Sequence, residues 1–352
     1  MDSFLVGDRK IGTNCPAFIV AEMSGNHNQS IDKAIELIHA AKNAGADAIK
    51  LQTYTPDTMT LNSNKPDFLI KSDSPWHEHK NLYDLFAKAF LPWEWHTALF
   101  DEAKKINIQI FSSPFDKSAV TFLDKLGAEI FKIASPEITD IGLLEACAKT
   151  GKPVILSTGV AELYDIELAC ETLRNNGCQK IVLLKCTASY PAPPHLMNLK
   201  TIPDMALRFN CISGLSDHTL GTAIPIASIA LGASVIEKHL VLDKNEYSVD
   251  SFFSLNPNEF KYMVSEIREV EKALGTINYE LDETVKSDLR GRRSLYVCKD
   301  IKKGELFSEL NIRSIRPAFG LHPKHLKNII NKKSTKNLFF GDRLTNEDIE
   351  WK

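Results

Sequence analysis

Two histidines, His218 and His239, close two consecutive apolar runs, and two lysines, Lys50 and Lys132, lie inside two earlier ones. Neutral imidazoles with open coordination positions suit a catalytic divalent ion better than a closed structural one. Two lysines on separate elements can face one dianionic ligand. Hydroxyls from Ser113, Ser135 and Ser157, with nearby loop amides, would complete a phosphate or carboxylate cradle. Glu22 and Asp250 are acid/base candidates. Each residue also has an ordinary reading. Lys132 can pair with a local acid such as Glu137, His218 can be a turn residue in Asp217-His218-Thr219, and His239 can be a core histidine. Glu22 can be salt-bridged and Asp250 merely exposed. The matched placement of the two histidines favours the metal. His77-Glu78-His79 resembles a ligand pair but reads as a solvated turn, and His27 reads as a residue that orients a loop or touches substrate.

Such residues need rigid elements to converge. Short β-branched runs at 17–22, 48–53, 108–112, 129–134, 153–157, 181–187, 210–215 and 234–239 alternate with segments of helical period. The runs are continuously apolar, which predicts buried parallel strands. Ile31, Ala34, Ile35 and Ile38 form one helical face, and Leu163, Ile166, Cys170 and Leu173 another. A third, with Phe260, Met263, Val264, Ile267 and Leu274, opens on Asn256-Pro257-Asn258-Glu259, which supplies an N-cap, a first-turn proline and an acid. Eight strands alternating with helices predict a (β/α)8 TIM barrel, with a doubly wound sheet as the alternative. No G-x-G-x-x-G follows the first strand, which counts against a dinucleotide site. In such a barrel the active residues sit at the C-terminal strand ends. Those ends carry Glu22, Lys50 and Gln52, Lys132 and Glu137, Lys185, Asp217 and His218, and Glu237-Lys238-His239. Buried strands accommodate unpaired charge poorly, so this density of ionisable groups marks a polar site. The connection at 54–91, with Pro56, Pro66 and Pro75, is long enough for a lid or binding loop.

The 352 residues carry 42 Lys+Arg against 45 Asp+Glu, a formal charge of −3, so no electrostatic case exists for nucleic acid or an anionic membrane as partner. Seven cysteines without a C-x-x-C pair read as reduced, mostly buried thiols. The segment 223–236 is too short and interrupted to span a bilayer, and no basic-then-apolar leader is visible, so the expected location is the cytoplasm. The expected organisation is a catalytic barrel over 1–274, a polar linker over 275–292 and a small domain over 293–352 with turn signals at Lys303-Gly304 and Gly341-Asp342. The first dozen residues, around Gly7-Asp8, are expected to form a hairpin plugging one barrel end.

Several motifs resemble the sialic acid synthase family: Asn26-His27-Asn28, Lys50-Leu51-Gln52-Thr53, Lys132-Ile133-Ala134-Ser135, Leu156-Ser157-Thr158-Gly159, Cys186-Thr187, Tyr190-Pro191, Gly214-Leu215-Ser216-Asp217-His218-Thr219 and Glu237-Lys238-His239. The tail, with Asp300-Ile301-Lys302-Lys303-Gly304-Glu305 and Arg316-Pro317, resembles that family's antifreeze-like SAF domain. Within the family, Ser24-Gly25-Asn26-His27-Asn28-Gln29 and Gln52-Thr53-Tyr54-Thr55-Pro56-Asp57-Thr58 look most like the pseudaminic acid synthase branch. The resemblance implies condensation of phosphoenolpyruvate with an open-chain amino-sugar aldehyde, giving a nonulosonic acid and phosphate. It implies His218 and His239 as ligands of Mn²⁺, with Mg²⁺, Co²⁺ or Zn²⁺ as alternatives. Lys50, Ser113, Lys132, Ser135, Ser157 and Tyr190 match the phosphoenolpyruvate positions, and Asn26, His27, Gln52, Tyr54 and Glu137 the sugar side. Glu22 and Asp250 match catalytic positions. It also implies a domain-swapped homodimer whose tail lends Arg316 to the partner's sugar site. Three departures stand out. Ala188 replaces an asparagine found in some relatives, Ser113 replaces a common threonine, and the loop before Asp250 lacks the usual glycines. N-acetylneuraminate or legionaminate synthase is the rival within the family. A Schiff-base pyruvate aldolase using Lys132 or Lys50, or a non-catalytic carbohydrate-binding protein, is the rival outside it.

Overall fold

Each apolar run forms a strand and each amphipathic segment between them a helix, and the alternation closes on itself. The structure, a computed structural model, describes residues 3–351; residues 1, 2 and 352 of the expected terminal segments lie outside the described residues. β1 (Ser3–Val6) and β2 (Arg9–Gly12) pair antiparallel about Gly7-Asp8, forming the expected hairpin. Eight parallel strands follow: β3 (Phe18–Glu22), β4 (Ala48–Thr53), β5 (Gln109–Pro114) and β6 (Phe131–Ile133), then β7 (Val154–Ser157), β8 (Ile181–Cys186), β9 (Ile212–Asp217) and β10 (Val235–His239). They run in sequence order and β10 pairs with β3, so the sheet is a closed barrel and the doubly wound alternative is excluded.

Alternate strand residues have different destinations, as a pleated strand requires. Ile19, Ile49, Leu215 and Ile236 point outward into one helix-facing core, and Phe131, Leu156 and Leu183 into another. Phe18, Val20, Ala48, Ile155, Val182 and Val235 point inward and fill the bore together with Phe4, Val6 and Ile11 of the hairpin. The hairpin therefore plugs the end where the strands begin. The outer helices start where the sequence offers acceptors: Ser30 accepts from the Lys33 amide and Asn81 from the Asp84 amide. The helix Pro257–Leu274 carries the expected capping box between Asn256 and Glu259.

The chain divides into two compact units, Met1–Gly275 and Thr276–Lys352. In the second unit the polar stretch after residue 275 includes a short helix, Glu283–Lys286, and a tight turn, Ser287–Gly291. β11 (Ser294–Val297) and β12 (Ile312–Ile315) then pair antiparallel over a small core of Leu295, Phe307, Ile312, Ile329 and Leu344. Gly304 and Gly341 take φ of 82° and 90°, which a side chain would resist, in agreement with the turn signals. Among the described residues no helix is long and apolar enough to cross a membrane.

Candidate active site

The bore changes character where the strands end. The next inward residues after the apolar layers are Glu22 on β3, Lys50 and Gln52 on β4, Lys132 on β6, Ser157 on β7, Cys186 on β8, Ser216 on β9, and Glu237 and His239 on β10. All of them line one cavity of about 560 Å³. Closure places β10 beside β3 with His239 opposite Glu22, and β3 beside β4 with Glu22 opposite Lys50. The Lys50 ammonium lies 2.6 Å from Glu22 and 3.6 Å from Glu237, and it donates to Ser113 at 3.2 Å. Lys132 lies 3.5 Å from Glu237, which accepts from Ser216 at 3.2 Å. Gln52 donates to Glu22 at 2.9 Å and to the Ser24 hydroxyl at 3.1 Å.

The two glutamates are driven apart electrostatically. Burial raises the Glu22 carboxyl above its usual range against the pull of Lys50, whereas Lys132 and Lys50 outweigh burial and hold Glu237 below its usual range. Burial pushes Lys132 down, while Glu22 and Glu237 overcome burial at Lys50 and push it up. The floor is thus a nearly neutral cluster of buried ions in which an incoming dianion can exchange with Glu237 as partner of the lysines. Beside it, Gly159 donates its amide to the Ser135 hydroxyl at 2.9 Å. A Cβ at Gly159 would come within 2.8 Å of that hydroxyl and 2.9 Å of the Cys186 sulfur, so only glycine brings this backbone so close. Among the described residues the buried Ser157 hydroxyl finds no hydrogen-bond partner, which leaves it for a ligand.

His218 and His239 stand side by side, their ring centroids 5.4 Å apart. His218 donates from Nδ1 to the Thr187 carbonyl at 3.1 Å; burial opposes its charged form, but Cys186 and that carbonyl outweigh burial and raise the ring's pKa. His239 Nδ1 is buried, finds no hydrogen-bond partner among the described residues and lies 3.7 Å from Asp250. Burial, reinforced by His218 and Lys50, holds the His239 ring well below its usual pKa, so it is neutral. Two imidazoles beside a carboxylate fit a divalent cation, which would bind His218 in its deprotonated form. Among the described residues no three His, Cys, Asp or Glu side chains are arranged to hold a metal ion, so water or substrate would supply the ligands beyond the two imidazoles. Asp250 accepts from Ser24, and burial raises its carboxyl. Ser24 holds a left-handed φ of 48° to reach it, a conformation that costs a non-glycine residue energy.

The structure brings most expected residues to this cavity, including Tyr54, Ser135 and Tyr190, but not all. Ser113 sits behind Lys50 and supports it. The Asn26 amide donates to the Leu240 carbonyl at 2.8 Å and to Ser254 at 3.0 Å and accepts from Ser248 at 2.7 Å, so it braces the loop that carries Asp250 and is not free for sugar. His27 is wholly buried, accepts from the Gln29 amide and packs edge-on against Trp95, which makes it a loop support. Glu137 is half-buried outside the cavity lining, pushed up to about 7 by burial; the partner of Lys132 is Glu237, not Glu137. Arg316 follows β12 in the second unit and is exposed. His77 bonds the Ser74 carbonyl within its own exposed turn, as a solvated turn would. Two contributors were not singled out from sequence. Glu237 shares its strand face with His239, and period two alone would have found it. Cys186 is not a bland core thiol: its sulfur lies 3.9 Å from His218 Nδ1. Burial opposes its thiolate, but His218, Ser135 and Lys132 outweigh burial and lower its pKa.

A closed parallel barrel with paired lysines, an unpartnered serine hydroxyl and two imidazoles at its C-terminal mouth defines a TIM-barrel protein whose mouth suits an anionic ligand. The chain belongs to the NeuB family: that family's model matches residues 37–279, and a SAF domain matches residues 292–350. It is 47% identical over 338 residues to the pseudaminic acid synthase of Campylobacter jejuni subsp. jejuni serotype O:2, covering 96% of this chain and 98% of that one. It is 44% identical over 336 residues to the pseudaminic acid synthase of Helicobacter pylori, covering 95% of this chain and 98% of that one. A solved structure, the N-acetylneuraminic acid synthetase of Leptospira borgpetersenii in complex with citrate, matches with a TM-score of 0.73 and 32% identity, over 83% of this chain and 96% of that one.

Proposed function

We propose that this chain is a pseudaminic acid synthase, condensing phosphoenolpyruvate with 2,4-diacetamido-2,4,6-trideoxy-L-altrose to give pseudaminic acid and phosphate. The observation that carries this is the presence, in one cavity, of a buried two-lysine cradle and two adjacent imidazoles. Relatives at 47% and 44% identity that are pseudaminic acid synthases, against 40% for the N,N'-diacetyllegionaminic acid synthase of the same Campylobacter jejuni strain, support the branch.

In this reading Lys50, Lys132, Ser135 and Ser157 bind the phosphate and carboxylate, and Ser113 holds Lys50 in place. His218 and His239 would hold a divalent ion, Mn²⁺ foremost, which polarises the aldehyde when bound. Carbon 3 of phosphoenolpyruvate forms the new bond to the aldehyde carbon, whose oxygen takes up a proton. Positive charge at carbon 2 is met by water, which loses a proton to leave a hydroxyl; that hydroxyl then gives its proton to the departing phosphate as the C–O bond breaks, phosphate keeps the bonding electrons, and carbon 2 becomes the ketone. Glu22, held by Gln52 and Lys50, and Asp250, held by Ser24, are the carboxyl groups that exchange these protons. The protein works in the cytoplasm as a domain-swapped homodimer in which Arg316 serves the partner's sugar site. An exposed arginine flanked by Ile315 and Phe319, 39% and 58% exposed, supports that interface.

The test is phosphate release from phosphoenolpyruvate with each candidate sugar. Turnover is expected with the trideoxy altrose sugar, is lost on chelation and returns with Mn²⁺; borohydride traps no pyruvate adduct. Equal turnover with N-acetylmannosamine would overturn the branch, and a trapped adduct with chelator-resistant activity would overturn the chemistry.

A further inference from the structure

The connection after β4 contributes a helix, Leu82–Ala89, and Leu82, Leu85, Phe86 and Ala89 all line the same cavity as the charged floor. Their spacing of i, i+3, i+4 and i+7 is a single helical stripe. Such a stripe normally packs into a core, yet among the described residues none of the four belongs to an apolar core cluster. Leu85 is nevertheless buried, because the stripe forms a wall of the cavity. The wall is firmly held. Asn81 caps the helix, Gln29 donates to the Lys88 carbonyl at 3.2 Å, and Phe86 meets Tyr54 edge-on at 5.8 Å. Earlier in the connection, Trp76 donates to the Val249 carbonyl at 2.9 Å and packs on Tyr190.

Floor and wall therefore differ in chemistry within one cavity. The floor holds every buried charge and suits the phosphate, carboxylate and aldehyde. The wall offers hydrocarbon and no hydrogen-bonding side chain along its stripe, so a hydroxyl pressed against it would lose water without gaining a partner. We propose that Leu82, Leu85 and Phe86 are the specificity-determining surface for the methyl-bearing end of the sugar: the C6 methyl packs on the stripe, and a C6 hydroxyl is disfavoured there. This rests on the function proposed above and names the part of the substrate that this wall selects. The aldehyde end lies on the floor, so the stripe acts on the sugar and leaves phosphoenolpyruvate alone.

The experiment compares kcat/KM for 2,4-diacetamido-2,4,6-trideoxy-L-altrose and its 6-hydroxy counterpart, in the unmodified protein and in Leu82→Asn and Leu85→Asn. The unmodified protein is expected to prefer the 6-deoxy sugar by roughly 10–200-fold, the range one apolar group commands in a hydrophobic pocket. Each variant narrows that ratio, chiefly through loss on the 6-deoxy sugar, and leaves KM for phosphoenolpyruvate within about twofold, because uniform binding of that substrate is untouched. The comparison on the unmodified protein needs no substitution, so poor folding of a variant does not remove the test. Turnover of both sugars at equal efficiency, or variants that lower both without changing their ratio, would overturn the wall's role while leaving the synthase reading intact. Release of phosphate with N-acetylmannosamine and with neither altrose sugar would overturn both.

Discussion

The two ends of the barrel bore are built from the same strands and differ in every physical respect. At the end where strands begin, Phe18, Val20, Ala48, Ile155 and Val235 meet the hairpin's Phe4, Val6 and Ile11 in a dry apolar plug. Two residues further along the same faces come Glu22, Lys50, Ser157 and Glu237. The change occurs within one pleat: Val235 is core, Glu237 pairs with two lysines, and His239 stands beside His218. Of the two ends, the plug contributes stability by removing apolar area from water, and the mouth carries the chemistry, where buried ions are held by one another. Charged residues are tolerated in the mouth because each finds a partner across a strand boundary, and that leaves lysines whose partner a dianionic substrate can replace.

Breaking the mouth should have the largest effect. Lys132→Met removes half the cradle and leaves Glu237 short of a partner; kcat/KM for phosphoenolpyruvate is expected to fall by about 10³-fold or more, roughly 4 kcal/mol. Steady-state phosphate release reads this directly, and a loss below tenfold would mean that Lys132 is not a substrate contact. Breaking the plug should separate stability from binding. Phe18→Ala is expected to cost about 3–5 kcal/mol in urea unfolding, with KM for phosphoenolpyruvate unchanged in the folded fraction; a raised KM would show that the two ends are coupled.

The smallest effect sharpens the comparison by distinguishing histidines that line the mouth from those that support it. His27 and His96 are buried and held down to a pKa of about 4 by burial. Their folded pKa is depressed below the unfolded value near 6.5, so the stability they contribute is complete above pH 6.5 and is lost as pH falls towards 4. Each should remove about 2 kcal/mol between pH 7 and pH 5. His96→Gln, which retains a partner for the Thr53 hydroxyl, should flatten the pH dependence of unfolding by about that amount. An unchanged slope would place the acid sensitivity elsewhere.

Local pattern made much of this molecule legible. Eight apolar runs, a capping box at Asn256 and Glu259, a hairpin about Gly7-Asp8 and a long connection after the second barrel strand all stand where composition and period put them. The clustering of ionisable groups at strand ends was visible too, because such residues are costly in any buried strand. The partners were not visible. Lys132 next to Pro136-Glu137 invites a local pair, yet its acid is Glu237, four strands away around the barrel. Asn26 and His27 lie in the motif-rich loop after β3, yet Asn26 braces the segment bearing Asp250 and His27 accepts from Gln29 and packs on Trp95, so neither lines the cavity. The stripe Leu82, Leu85, Phe86 and Ala89 has the period of a core helix and lines a pocket instead.

The order of residues along this chain determined which segments become strands and helices and which strand faces carry charge, because both follow from periods of 2 and 3.6 acting within a few residues. Which charge meets which, which histidines stand together and what the apolar helix face looks onto were decided only when the barrel closed. Closure sets the register between strands far apart in sequence, and ion pairing and desolvation depend on distances that no local pattern contains.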